Sequence, residues 1–377
     1  MQLVYNHLNQ ETSELLEQIK DLSEKKSKKI RFNWINTPHF VFHDKARKTI
    51  DCLNEIYAEL ENIDDLSEME EFCNTFSITG GTGTGKTATA LEFMRQHPPS
   101  HNTEKEFIPI SRALLRDGIT GLTGLYYSLL EALGSPNSSP PANKRSVIRI
   151  ANLENQLLWA LKTAGVKILI ADEFQHLIGR NQQSLVNQLK RTLQFSKVAF
   201  IPMGTPIMRD LIELDPQLSD RCQVKPYTKF HNWKSDKEFL EFLGGYEKFL
   251  PFDEKSNLKS SENANLIFEK VIRFEYKKTG ELLTYKKFKD WIREKKKQRK
   301  STDLRAENKW RNIEIDDNLY ENMLNDGELK EFVDPENELV IRTNLRRVTT
   351  FIKKIARRGL LLGHNQINGD LINEIPY

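Results

Sequence analysis

Hydrophobic and polar positions follow two alternating patterns through the first two thirds of the chain. Short apolar, β-branched runs predict strands at Phe76–Thr79, Glu106–Ile110, Val166–Ala171 and Val198–Met203. Apolar residues spaced three to four positions apart predict helices at Asp44–Leu60, Ala88–Met94, Thr123–Leu133, Ala151–Leu161 and Gln183–Gln194. Strands that alternate with helices in this way predict a parallel sheet with helices on both faces, an α/β fold.

The two ends of the chain differ from this central part. Residues 1–30 predict one or two polar helices, which fit either a partner-binding arm or packing against the main domain. Pro38 disfavours helix at Thr37, so Trp34–Phe40 predicts an extended segment. Beyond about Phe230, helices are predicted at Glu238–Phe249, Asn263–Lys277, Leu283–Lys300 and Asn344–Arg358. We therefore expect an arm (1–32), an α/β domain (33–230) and a helical lid with a C-terminal extension (231–377).

Composition narrows the class of protein. The 377 residues carry a net charge of +3 and contain no apolar run near the ~20 residues that span a bilayer. The first residues lack the order of a secretory signal, and Cys52, Cys73 and Cys222 form no C-x-x-C pair. We expect a cytoplasmic protein without disulfides, structural zinc or a membrane partner. Basic runs fit either DNA contact or solvated helix faces, and they lie at Lys25–Arg31, Lys286–Lys300 and Arg342–Arg358.

One glycine-rich stretch carries the strongest chemical signal. It fits the pattern G-x-x-x-x-G-K-[ST] and consists of Gly80, Gly81, Thr82, Gly83, Thr84, Gly85, Lys86 and Thr87. Glycines let such a loop turn its backbone N–H groups toward phosphate oxygens. Lys86 would then reach the β- and γ-phosphates, Thr87 would ligate Mg²⁺, and the helix opening near Ala88 would direct its positive end at the anion. The sequence predicts binding of ATP with Mg²⁺.

Two acids end the apolar strand Val166–Ala171. Asp172 is expected in the Mg²⁺ shell, and Glu173 is expected to act as the general base that activates the attacking water. After the next strand, Thr205 is the candidate that senses the γ-phosphate, with a helix N-cap as its alternative role. His176 is read as a structural or switch residue, because no second His or Cys lies at helical spacing from it.

Arginines further along the chain are candidates for contact with the nucleotide. Arg221 or Arg209 would serve as an arginine finger in a neighbouring subunit, and Arg221 is preferred. Arg346 or Arg347, at the start of a late helix, would approach the nucleotide from the helical domain. Surface charge is the alternative for each of them.

Taken together, these motifs resemble AAA+ ATPases of the TniB/TnsC type, which regulate transposition. The resemblance covers about residues 33–233 and rests on Trp34–Pro38, Ile170–Leu177, Pro202–Pro206 and Gln217–Arg221, with Asn344–Arg347 resembling a sensor-two helix start. It implies ATP bound between subunits, and a ring or filament assembled on duplex DNA. It also implies transposase and a TniQ-like or other target selector as partners.

The resemblance further implies DNA contacts after the second strand, where the basic residues are Arg112, Arg116, Lys144 and Arg145. The segment Phe230–Glu338 is longer than a minimal lid, so it is an insertion or a partner-binding element. Three other functions share parts of this pattern: a DNA-independent signalling or chaperone-like ATPase, a helicase loader or origin-recognition relative, and a small-molecule kinase. The acid pair and the long helical C-terminal part disfavour the kinase.

Overall fold

The computed structural model describes residues 2–63, 75–101, 106–115, 121–135, 150–178, 182–276, 290 and 339–376. Its contacts divide the chain into two compact units. One is Pro38–His231, and the other combines Met1–Thr37 with Asn232–Tyr377. Residues of the expected arm, 1–32, therefore group with 33–37 and with the C-terminal part.

Secondary structure follows the predicted order of elements through most of the described chain. The helices are α1 (Gln2–Ile19), α2 (Glu24–Asn36), α3 (Asp44–Glu61), α4 (Lys86–Gln96), α5 (Gly121–Ala132), α6 (Ile150–Thr163), α7 (Gln182–Ser196), α8 (Met208–Ile212), α9 (Pro216–Arg221), α10 (Lys237–Glu247), α11 (Ser261–Val271), α12 (Leu345–Leu362) and α13 (Gly369–Glu374). The strands are β1 (Thr75–Phe76), β2 (Ile78–Gly80), β3 (Ser100–His101), β4 (Glu106–Phe107), β5 (Ile110–Leu114), β6 (Ile168–Asp172), β7 (Ala199–Gly204), β8 (Cys222–Gln223), β9 (Lys229–Phe230), β10 (Arg273–Tyr276) and β11 (Leu339–Arg342).

A five-stranded parallel sheet forms the centre of the unit Pro38–His231. Its strand order is β5-β6-β7-β2-β9. Every residue of β6 and β7 is buried, as expected for parallel strands covered on both faces. Apolar residues of the flanking helices complete the core, among them Leu53, Phe93, Leu129, Leu157 and Leu189. Each such side chain contributes about 1.5–3 kcal/mol by leaving water.

Three local predictions were wrong, each for a physical reason. The single strand expected at Glu106–Ile110 is interrupted: Glu106–Phe107 form β4, which pairs with β3, and β5 begins at Ile110. The break falls at Pro109, which has no N–H to donate to the ladder and whose carbonyl accepts bonds from Lys167 and Ile168. The stretch expected to be extended from Trp34 is helical through Asn36 and becomes extended only at Thr37, the residue before proline.

The third error concerns the helix expected at Asn263–Lys277, which ends at Val271. Residues 273–276 form β10, which pairs antiparallel with β11 more than sixty residues later in the chain. Apart from Asp290, which is helical, the helix expected at Leu283–Lys300 lies outside the described residues.

The unit that contains α10–α13 is predominantly helical, and α2 belongs to it. Two side chains of α12 bond to the end of α2: Lys353 Nζ donates to Thr37 O at 3.0 Å, and Arg357 donates to Asn36 Oδ1. Both terminal nitrogens of the Arg31 guanidinium donate hydrogen bonds to the Asp253 carboxylate, at 3.2 and 2.9 Å. In the part of the chain that the structure describes, no helix is long and apolar enough to cross a membrane.

Candidate functional site

The glycine-rich loop joins the end of β2 to the start of α4. Gly83 and Gly85 have φ values of 79° and 102°, in the left-handed region that glycine tolerates. Gly80 is required for a different reason: a Cβ there would lie 2.4 Å from the carbonyl oxygen of Phe230 on the neighbouring strand β9. The strand–loop–helix context expected for the phosphate-binding motif is therefore present.

Lys86, the first residue of α4, is buried with 6% of its surface exposed. Its Nζ donates to the carbonyl oxygens of Gly80 and Gly81, at 2.7 and 2.9 Å. The Thr84 hydroxyl closes the same loop by donating to Gly81 O at 2.8 Å. The ammonium group thus lies inside the loop, where a bound polyphosphate would find a positive charge already in place.

Asp172 and Thr87 meet where β6 ends. The Thr87 hydroxyl donates to Asp172 Oδ2 at 3.0 Å, and the Glu173 N–H donates to Asp172 Oδ1 at 2.9 Å. Only 1% of the Asp172 side chain is exposed. Burial raises the pKa of Asp172 above its ordinary value, and the charge of Arg112 and the Thr87 hydrogen bond oppose this rise.

This pair of oxygens fits Mg²⁺, a hard cation that commonly takes one or two protein ligands and completes its shell with water and phosphate oxygens. Among the described residues, no three or more His, Cys, Asp or Glu side chains cluster in a way that could hold a metal ion. Thr87 and Asp172 would hold the ion, which would supply charge to the β- and γ-phosphates.

Arg112 occupies a position that the sequence did not predict. It lies on β5, and its Nη1 donates to Asp172 Oδ2 at 3.0 Å, with 18% of the side chain exposed. Register explains the contact, because β5 pairs with β6 so that Leu114 lies opposite Asp172. The resemblance implies a DNA contact for Arg112, which no contact in the structure tests and which stays a prediction. The other expected DNA contacts, Arg116, Lys144 and Arg145, lie outside the described residues.

Glu173 has an unusual backbone conformation for a glutamate. Its φ of 59° and ψ of 41° lie in the left-handed region, directly before the 3₁₀ turn Phe174–Leu177. Such a conformation costs an L-residue roughly 1–2 kcal/mol. Strain of this kind is retained where the surrounding structure fixes it, and it is common at functional sites. The side chain is 38% exposed, with His176 Nε2 at 3.9 Å from its Oε2.

A second residue that sequence reasoning missed, Gln175, connects the ends of β6 and β7. Its amide nitrogen donates to Glu173 Oε2, and its Oε1 accepts from the Thr205 N–H at 3.0 Å. Thr205 does not cap the helix that follows it, because α8 begins at Met208 and has Ile207 as its N-cap. A signal for Gln175 existed in the sequence, since it lies two residues after Glu173, at the same end of the sheet.

The candidate arginines differ in their surroundings. Arg209 is half exposed and pairs with Glu213, the C-cap residue of α8, at 3.3 Å. Arg221 is partly buried at the end of α9. In the other unit, Arg346 is exposed at the start of α12, whereas Arg347 Nε donates to Val271 O at 2.9 Å.

The family of the chain follows from comparison with known proteins. Residues 31–233, more than half of the chain, match the family described as "Bacterial TniB protein". The chain belongs to the TniB family. The parallel sheet, the phosphate-binding loop and the acids at the end of β6 agree with this match, so the fold is that of an AAA+ α/β ATPase, as the sequence predicted. No curated protein sequence matches this TniB-family chain.

Solved structures with a similar arrangement are distant from this TniB-family protein. They include Aeropyrum pernix ORC2 in ADPNP–ADP complexes, with 13% identity, a TM-score of 0.47, and coverage of 90% of this chain and 69% of that one. A. pernix ORC1 in complex with DNA has 12% identity, a TM-score of 0.45 and coverage of 90% and 67%. Pyrobaculum aerophilum Cdc6p has 11% identity, a TM-score of 0.37 and coverage of 85% and 97%. Likeness at this level carries no information on function.

Proposed function

We propose that this TniB-family protein is an ATP-dependent regulator of transposition. It binds Mg²⁺–ATP, assembles as a ring or filament on duplex DNA in the bacterial cytoplasm, and links a target selector to the transposase. In this proposal residues 33–230 bind the nucleotide, 231–377 form the lid and its extension, and 1–32 form an arm. Family membership supports the role in transposition.

The observation that carries the ATPase part is the convergence of groups on one buried acid. Thr87, which follows the phosphate-binding Lys86, and Arg112 both donate to Asp172 Oδ2 at 3.0 Å. A buried carboxylate that contacts the Thr87 hydroxyl beside the phosphate-binding loop is suited to hold Mg²⁺ next to the phosphates of ATP. Glu173, the next residue, is the proposed base that accepts a proton from the attacking water.

Hydrolysis in this proposal acts as a switch. The water attacks the γ-phosphorus, Glu173 accepts its proton, and the bond to ADP breaks. Thr205 senses the γ-phosphate from the end of β7. Arg221 of a neighbouring subunit and Arg346 of the helical unit add positive charge to the phosphates. ATP stabilises the assembly on DNA, and hydrolysis limits its lifetime.

DNA contact in the proposal is independent of sequence. Three basic residues that follow β5 in the sequence, Arg116, Lys144 and Arg145, are proposed to contact DNA phosphates alongside Arg112. Each phosphate neutralised adds about 0.9 to the slope of log affinity against log salt. Replacing all three by alanine should therefore reduce both affinity and slope, and unchanged values would remove these residues from the interface.

Two other functions are outcomes of the same test. A helicase loader would bind DNA and ATP but recruit replication proteins, and a DNA-independent signalling ATPase would bind nucleotide alone. Added transposase and target selector, measured by co-sedimentation with DNA-bound protein, separate the first alternative from the proposed regulator.

The decisive experiment measures duplex DNA binding with ATP, with a slowly hydrolysed ATP analogue and without nucleotide, and images the products by negative stain. We expect nucleotide-dependent rings or filaments on DNA. Lys86→Ala should abolish them, because the loop loses its only ammonium group. The matched control is Lys48→Ala, whose exposed ammonium pairs with Asp44 on α3 and which should behave like the wild type. Tight nucleotide binding without any DNA assembly would contradict the proposal.

A further inference from the structure

The Gln175 carboxamide is held at both of its ends. A backbone N–H can only donate, so the bond from Thr205 N at 3.0 Å fixes Oε1 on that side. The amide NH₂ group must then face the other way, where it donates to Glu173 Oε2. Gln175 therefore connects the proposed base at the end of β6 to the backbone at the end of β7.

Gly204 provides the space for this contact. A Cβ at position 204 would lie 2.2 Å from Gln175 Oε1, 3.1 Å from Met208 Sδ and 3.2 Å from Phe174 N. The first distance is far shorter than any real Cβ contact, so an alanine would displace the carboxamide. The φ of Gly204 is not in the left-handed region, so its lack of a side chain, and not its backbone freedom, is what the structure requires.

We propose that Gln175 is a positioning residue for ATP hydrolysis, which orients the Glu173 carboxylate and ties it to the strand end that carries Thr205. This inference rests on the proposed role of Glu173 as the base. The Glu173 side chain is 38% exposed, and the hydrogen bond from the Gln175 amide restricts the rotation of its carboxylate. By engaging Oε2, the amide leaves Oε1 to accept the proton of the attacking water.

The same contact gives a route from the γ-phosphate to the base. A shift of Thr205 on binding ATP would move the N–H that holds Gln175, and with it the amide that holds Glu173. Small displacements of a catalytic group are costly, since misplacement by about 1 Å can lower a rate ~10²-fold. In this proposal the Gln175 carboxamide acts through Glu173 and not on the nucleotide, so its loss should affect turnover and not nucleotide affinity.

The test is a pair of double-mutant cycles on the full-length chain with saturating Mg²⁺–ATP and duplex DNA. We expect Gln175→Ala to lower kcat by roughly 10–100-fold while the Kd for a fluorescent ATP analogue changes less than about twofold. Gly204→Ala should produce a loss of the same size. In the Gln175→Ala background, Gly204→Ala should lower kcat less than about threefold, because the Gln175 Oε1 atom that the new Cβ would contact is absent. Gln183→Ala, on the exposed face of α7, is the matched control and should leave kcat unchanged.

Three results would overturn the inference: a wild-type kcat for Gln175→Ala, additive losses in the cycle with Gly204→Ala, or a loss of nucleotide affinity that accounts for the loss of turnover. If Gly204→Ala does not fold, a second cycle with Glu173→Gln decides. There Gln175→Ala should add nothing, because the base is already absent. Unchanged turnover in Glu173→Gln itself would contradict the proposed base, which is a separate failure from that of Gln175.

Discussion

The two edges of the five-stranded sheet have opposite character. At the carboxyl edge, where β6 and β7 end, lie buried polar groups that contact one another: Asp172 takes bonds from Thr87 and Arg112. At the amino edge lies an open groove of about 520 Å³ lined largely by apolar side chains. Trp159 and Phe195 line this groove and are 71% and 59% exposed.

This difference follows from the geometry of a parallel sheet. All strands enter at one edge and leave at the other, so loops that follow the strands gather side chains from several chain segments at the carboxyl edge. Polar groups that are buried there interact strongly, and each one depends on its partners. The aromatic side chains Trp159 and Phe195 at the amino edge are mostly in solvent and depend less on their neighbours. Substitutions at the two edges should therefore differ in the size and the kind of their effects.

The largest expected effect is that of Glu173→Gln. Glutamine keeps the shape of the side chain but cannot accept the proton of water, so turnover should fall by about 10²–10⁴-fold. ATP binding should persist, and the lifetime of assemblies on DNA should increase. Steady-state phosphate release and dissociation of labelled DNA measure the two outcomes. Unchanged turnover would exclude Glu173 as the base.

The next largest effect is expected for Arg112→Ala, which should lower the stability of the fold. It leaves the buried Asp172 without its cation, which should cost about 3 kcal/mol in the free energy of unfolding and raise the pKa of Asp172 further. Mg²⁺–ATP should then raise the Tm more in the variant than in the wild type, because the metal replaces the missing charge.

Arg95→Ala is the control for Arg112→Ala. Arg95 donates two hydrogen bonds to Glu92 on α4, but the Arg95 side chain is 61% exposed and Gln96 also donates to Glu92, so the loss of Arg95 should cost only ~0–1 kcal/mol. Equal losses for the two arginines, measured by denaturant unfolding, would remove the distinction between a mostly buried and a mostly exposed arginine.

A smaller effect is expected for Asp215→Ala, at an acid that caps a helix. Burial raises the pKa of Asp215, but hydrogen bonds from Lys190 and the Leu218 N–H outweigh burial and hold this pKa below its usual range. The variant should lose about 1 kcal/mol at pH 7. A lowered carboxyl pKa contributes stability above its usual value of ~3.9 that disappears as the pH falls through the folded value.

The difference in the free energy of unfolding between the wild type and Asp215→Ala should accordingly become smaller below about pH 4. Denaturant unfolding at a series of pH values measures this difference. Asp215→Asn separates the contribution of the helix cap from that of the negative charge, because asparagine keeps the cap and removes the charge that faces Lys190. A gap that widens in acid would show the opposite sign for the pKa shift.

The smallest effect is expected at the amino edge. Trp159→Ser removes a mostly exposed ring, so the free energy of unfolding should change by no more than about 0.5 kcal/mol and ATP turnover should not change. Thermal melts and phosphate release measure both. A loss near that of Arg112→Ala would mean that the groove contributes to the fold, and the contrast between the two edges would fail.

Much of the α/β unit could be predicted from local pattern. The runs Val166–Ala171 and Val198–Met203 lie within two residues of β6 and β7, and the loop ending in Lys86–Thr87 has the expected context. These succeed because apolar runs and glycine spacing are properties of neighbours in sequence. The turn after Asp172–Glu173 could also be recognised from the sequence as similar to the TniB type, and the family match confirms that resemblance.

Contacts between distant segments could not be predicted. Arg112 meets Asp172 only because β5 and β6 pair in one register, and a shift of one residue would turn the side chain to the other face. Gln175 reaches Thr205 across thirty residues through adjacent strand ends. The short strand β9 next to β2, and β10 paired with β11, also depend on partners far along the chain.

The discontinuous helical unit imposes an order on biosynthesis. Lys353 bonds to Thr37 across 316 residues, and the entire α/β unit is translated between the two. At about 5–20 residues per second, α2 emerges from the ribosome on the order of 15–60 s before the helix it packs against. Ile35 on α2 is 3% exposed in the folded protein, and α12 is not yet available to pack against α2 during this time. The α/β unit therefore has time to fold first, and the helical unit closes only when translation reaches α12.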